Sequence, residues 1–178
     1  MSDELATLLD TAQQHQENGN LIEALPLYEQ ALKHCRNNTD QPGEADILTS
    51  LGEVFVGMNS AKDAADYFEQ AMEIYQSLDN KKQQVAVLGN LGTTYMNLSR
   101  HEDALPLYEQ ALALARQIED KEAEALHLSN LGAWHSARSD KDTALDYYQK
   151  ALELYRTIDD VEGQGAMLNN IGKIYAGR

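Results

Sequence analysis

Nothing in this sequence is long and apolar enough to span a bilayer, and no run of lysine or arginine is present. The first absence argues against membrane insertion. The second argues against nucleic acid and anionic membrane surfaces, because phosphate binding needs clustered cations. Cys35 is the one cysteine, so an internal disulfide is excluded, and it reads as a small packing residue. Only three prolines interrupt the chain, and sustained period-two alternation, the mark of strands, is missing. The first ten residues, MSDELATLLD, lack the basic-then-apolar layout of a secretory leader, so a cytoplasmic protein is expected.

What is present is acid and repetition. The 178 residues carry 29 Asp and Glu against 14 Lys and Arg, a formal net charge of -15. Such a field favours a partner with a neutral to basic segment. The stretches LGEVF, LGTTY, LGAWH and IGKIY begin at Leu51, Leu91, Leu131 and Ile171, always forty residues apart. EALPLYEQAL, DAADYFEQAM, DALPLYEQAL and TALDYYQKAL, from Glu23, Asp63, Asp103 and Thr143, keep the same step. Such a period means stacked units.

Each unit holds two helical patterns. In the first type, Leu88, Leu91 and Tyr95 share a face; in the second, Ala104, Tyr108 and Ala111 do so. Asp40, Asn80, Asp120 and Asp160 precede the first helices and suit N-caps, as do Asn20, Ser60 and Asp140 before the second helices. Arg100 holds the remaining place and cannot accept the capping bond. Pro26 and Pro106, a few residues into second helices, predict a slight bend or a ragged start.

The pattern resembles the tetratricopeptide repeat. Gly52, Gly92, Gly132 and Gly172 match that family's small residue where the two helices cross, and Phe55, Tyr95 and Tyr175 match its aromatic, with His135 departing. The paired alanines match its second helix. The forty-residue unit is similar to the long repeats of kinesin light chain and the Partner-of-Inscuteable adaptors. The resemblance implies an all-α, right-handed solenoid of antiparallel helix pairs, a single array with repeats at about 5–44, 45–84, 85–124 and 125–164 plus a terminal first-type helix at 165–178. It also implies a non-enzymatic scaffold that binds an extended peptide along a concave groove.

First helices line the concave surface of such arrays. At about 100° per residue, Ala86, Asn90, Thr93 and Asn97 fall opposite Leu88 and Leu91. Asn90, Asn130 and Asn170 then form a row, extended by Ser50 and Asp10. Asp46 and Glu53 share that face in the second repeat; Lys173 and Gly177 share it at the end. A carboxamide presents a donor and an acceptor in one plane, which complements a peptide backbone. In the related long-repeat families, an asparagine here does that job. Gly89 also lies toward this face, where it would widen the groove beside Asn90. The chaperone-type carboxylate clamp is not expected, because its positions hold Thr93, Ala133 and Glu53, or Gly89, Ser129 and Thr49, with no lysine pair.

No catalytic or cofactor constellation emerges. Five histidines include only His127 and His135 within one helix, at no metal-ligand spacing. Glu122 and Glu124 belong to a solvated face, and His135 reads as a core or interface residue. The two ends differ. Thr7 and Gln14 are polar where Ile47, Val87 and Met167, or Val54, Trp134 and Ile174, are apolar, as a capping unit requires. Leu168, Ile171 and Tyr175 lack a partner helix, so a second expectation is an exposed apolar strip that pairs with another copy or continues into a longer protein.

Overall fold

The computed structural model describes residues 3–176. Gly177, expected on the concave face, lies outside them. Among the described residues all regular structure is helical: α1 (Asp3–Glu17), α2 (Leu21–Asn37), α3 (Gln41–Gly57), α4 (Ala61–Ser77), α5 (Lys81–Asn97), α6 (His101–Gln117), α7 (Lys121–Ala137), α8 (Lys141–Thr157) and α9 (Val161–Ala176). They form two compact units, one ending at Asn80 and the other beginning at Lys81. In each, odd helices pack against the even helices that follow them.

Three residues separate consecutive helices, and every turn closes the same way. The middle residue enters the left-handed region, at Gly19, Thr39, Asn59, Asp79, Ser99, Glu119, Ser139 and Asp159. The next amide then donates back across the turn, for instance Asp40 N to Cys35 O at 3.0 Å and Asp140 N to His135 O at 3.0 Å. This is the Schellman arrangement, which satisfies carbonyls that a helix end leaves open. Only Gly19 of the eight is a residue suited to that conformation by lacking Cβ. The side chains at the other seven are exposed, so geometry and not packing places them there.

Asp40, Asp120 and Asp160 cap α3, α7 and α9 by accepting from Gly43 N, Ala123 N and Gly163 N at 3.0–3.1 Å. Asp140 caps α8 through Thr143 N. Asn20 and Ser60 do not cap, contrary to the expectation from sequence. The Ser60 hydroxyl donates instead to the Asp63 carboxylate. Helices α2 and α6 run on through Pro26 and Pro106. Each proline leaves one early carbonyl without its amide, and the first turn there is open to water, with Ile22 and Glu102 exposed.

The crossing glycines behave as their recurrence predicts. A Cβ on Gly52 would stand 2.5 Å from the Phe68 ring, one on Gly92 2.5 Å from Tyr108, and one on Gly132 2.7 Å from Tyr148. Each ring comes from the following helix and fills the space a side chain would need. A Cβ on Gly172 would meet nothing within 4 Å. His135 fills its aromatic place by stacking on Tyr147 at 5.4 Å, as Phe55 stacks on Tyr67 at 5.2 Å. Cys35 is buried, and burial raises its thiol pKa. Thr7 and Gln14 are exposed, in keeping with a polar first helix.

Candidate functional site

The residues expected on the concave face divide by unit. In the first unit most are already engaged. The Tyr75 hydroxyl donates to Asp46 Oδ1 at 2.6 Å. Ser50 is half-buried, and its hydroxyl donates to the Asp46 carbonyl at 3.2 Å. Glu53 accepts from the Gln16 amide at 3.3 Å, and Gln16 in turn accepts from Tyr28 at 2.7 Å. Ser50 and Glu53 line a polar cavity of about 480 Å³ with Gln13, Glu17 and Tyr28. Asp10 is exposed on α1.

In the second unit the row is open. Asn90, Asn130 and Asn170 sit at equivalent places on α5, α7 and α9, and all three are half-buried. Their carboxamides make no hydrogen bond to another described residue. Small exposed side chains flank them: Ala86 and Thr93 on α5, Ala133 and Ala137 on α7. Thr93 Oγ1 lies 3.1 Å from the Tyr108 hydroxyl, which fixes its rotamer. Asn97 and Lys173 are exposed. At the end of α9, Leu168 is 53% and Tyr175 54% exposed. Ile171 departs from the expected strip, because it is half-buried and packed on the core of its own unit.

Gly89 is the main correction. It is buried, and a Cβ there would stand 2.7 Å from His127 Cε1. It does not widen a groove; it admits an imidazole from α7, and α5 and α7 approach each other directly. His127 occupies the stacking place that Ile47, Val87 and Met167 hold elsewhere, a break in the forty-residue register that reading along one helix misses. It is 1% exposed, and its Nδ1 has no hydrogen-bond partner. An unpaired buried polar atom costs about 1–3 kcal/mol. Burial holds the ring's pKa down to about 4, against a smaller opposing pull from Asp120. Thr94, the other buried polar residue among those described, avoids this cost by donating to the Asn90 carbonyl at 2.7 Å.

No group of histidine, cysteine or carboxylate side chains among the described residues could hold a metal ion, and no described helix is long and apolar enough to cross a membrane. The family model for the tetratricopeptide repeat matches residues 3–77 and 83–157. No curated protein matches the chain in sequence. Solved structures similar to it include the nearly identical repeats of a putative kinesin light chain from Podosopora anserina, at 17% identity and a TM-score of 0.79, covering 99% of this chain and 88% of that one. Aspartyl phosphate phosphatase F from Bacillus subtilis is similar at 18% identity and 0.87, covering 97% and 45%. So is a Rap protein complexed with competence and sporulation factor, at 21% and 0.82, covering 97% and 48%. The chain thus spans about half the length of the latter two. At these identities the likeness concerns the fold.

Proposed function

The chain belongs to the tetratricopeptide repeat family, and we propose that it is a non-enzymatic cytoplasmic scaffold that holds an extended peptide by its backbone through Asn90, Asn130 and Asn170. The observation that carries this reading is the contrast between open and engaged side chains. Three carboxamides recur at one helical place in the second unit with no hydrogen-bond partner among the described residues, whereas Asp46, Ser50 and Glu53 of the first unit are held by their own neighbours. Each free carboxamide can donate to a peptide carbonyl and accept from a peptide N–H. The alanines beside them leave room for a chain to approach. A neighbour of the same fold is complexed with competence and sporulation factor, so the architecture accommodates a bound partner. The net charge of -15 favours a neutral to basic segment.

The test is a peptide selected from a displayed random library against the whole chain and titrated by calorimetry. N-methylation of its central backbone amides should weaken binding at least tenfold, and alanine replacement of its side chains should weaken it less. If the reverse holds, a side-chain pocket and not the asparagine row is the binding element.

Exposed Leu168 and Tyr175 and the uncovered Gly172 favour a second reading, self-association through α9. Because Ile171 supports the core, Leu168→Asp is the cleaner probe. A drop in sedimentation-derived mass at tens of micromolar supports pairing, and a monomeric wild type at that concentration excludes it.

A further inference from the structure

Two departures from the repeat meet in one place. Gly89 stands where the other repeats have Leu9, Thr49, Ser129 and Asn169, and His127 stands where Ile47, Val87 and Met167 are apolar and the first repeat has Thr7. The missing Cβ of the first receives the ring of the second. Beside them, between the N-terminal halves of α5 and α7, lies a cavity of about 270 Å³, the volume of several waters. Val85, Ala86, Ala123 and Leu126 give it apolar walls, and His127 forms part of its lining. Leu126 is 49% exposed, an apolar side chain left open to solvent beside an unsatisfied imidazole.

We infer that this cavity is a binding site for an uncharged hydrogen-bond donor on an apolar body, a phenol-like group, which bonds to the His127 imidazole. The ring is neutral near pH 7, since burial disfavours its charged form. A neutral imidazole offers one N–H and one lone pair. The charged groups around the cavity are Lys82 on α5, and Asp120 and Glu122 at the start of α7. An anionic ligand would meet the two carboxylates and would need a proton on the ring. A cationic ligand would be held at the rim by the two carboxylates against Lys82, and would use neither the apolar walls nor the imidazole N–H. An uncharged hydroxyl on an apolar body uses both, and it can donate to the lone pair or accept from the N–H. The site does not use the carboxamides of Asn90 and Asn130, so it stands or falls separately from the proposed peptide row.

The experiment is a titration of the full chain, with ¹⁵N-labelled histidine and ¹³C-methyl leucine, by NMR at pH 7. The probes are 4-methylphenol, N-acetyltyrosinamide, toluene and 4-methylbenzoate. Saturable shifts of the His127 ring nitrogens and Leu126 methyls with 4-methylphenol, at least fivefold stronger than with toluene or 4-methylbenzoate, are expected. N-acetyltyrosinamide shifting the same signals assigns the site to a tyrosine side chain of a partner; its failure alongside 4-methylphenol binding assigns it to a free phenolic ligand. His127→Met, the residue of the equivalent place in α9, should abolish the response. Ala86→Leu, which fills the cavity from an exposed position, should do the same without touching the core. Asn90→Ala with Asn130→Ala should leave it intact. The proposal fails if no saturable shift reaches His127 at tens of millimolar, if toluene and 4-methylphenol act equally, or if either blocking variant binds like the wild type.

Discussion

Helices α7 and α9 are the same element written twice, forty residues apart, and their fates differ. Leu128 is 2% exposed and its counterpart Leu168 is 53% exposed. Gly132 is pressed by the Tyr148 ring, and Gly172 faces open space. His127 interrupts an apolar series that Met167 continues. The sequence pattern of each helix is right for stacking on both sides. The Tyr148 ring of α8 covers Gly132, and no described residue does the same for Gly172, so a motif sets the capacity for contact and the neighbour realises it.

The sharpest way to break this comparison is to place a charge at the paired leucines. Leu128→Asp should cost more than about 4 kcal/mol, because an unpaired carboxylate would be buried. Leu168→Asp should change stability by less than about 0.5 kcal/mol, as exposed substitutions do. Chemical denaturation of both variants checks this, and similar costs would show that α9 is covered in solution.

Acid provides the second contrast. His127 is neutral in the folded chain, with its pKa near 4, and takes a proton in the unfolded chain below about 6.5. Stability from this residue is therefore fully present above about pH 6.5, falls as pH drops toward 4, and levels off beneath. The loss is on the order of 3 kcal/mol across that window. His127→Met, which copies α9 into α7, should flatten that part of the profile. An unchanged slope in the variant would assign the acid sensitivity to the carboxylates.

The smallest effects come from the crossing glycines. Gly132→Ala should destabilise by about 1–3 kcal/mol, because the Tyr148 ring must move. Gly172→Ala should stabilise by about 0.5–1 kcal/mol, since alanine favours helix and nothing opposes it. Opposite signs in melting temperature support the account; equal signs contradict it.

Much of the architecture was legible because it depends on local chemistry or on register. The forty-residue step located the helices, the glycine–aromatic crossings and the aspartate caps. The same step carries its own exceptions, and those were harder to see. Gly89 reads as a groove residue when only its own helix is considered, yet its environment is set by His127, thirty-eight residues away on another helix. Ile171 belongs to the expected strip by periodicity, but the core of its own unit takes part of it in. Asn20 and Ser60 have capping side chains, and at Ser60 a nearby carboxylate competes for the hydroxyl. The engagement of Asp46 by Tyr75 could not be read from either helix alone. The angle along each helix gives Asn90, Asn130 and Asn170 one common place, while their lack of hydrogen-bond partners among the described residues is a fact of packing.

The asparagine row is tested most directly by calorimetric titration of a library-selected peptide into the wild type and into the chain carrying Asn90→Ala and Asn130→Ala. The account predicts at least a tenfold loss of affinity in the double variant, with a melting temperature within a few degrees of the wild type. Undiminished affinity in a folded double variant would contradict it.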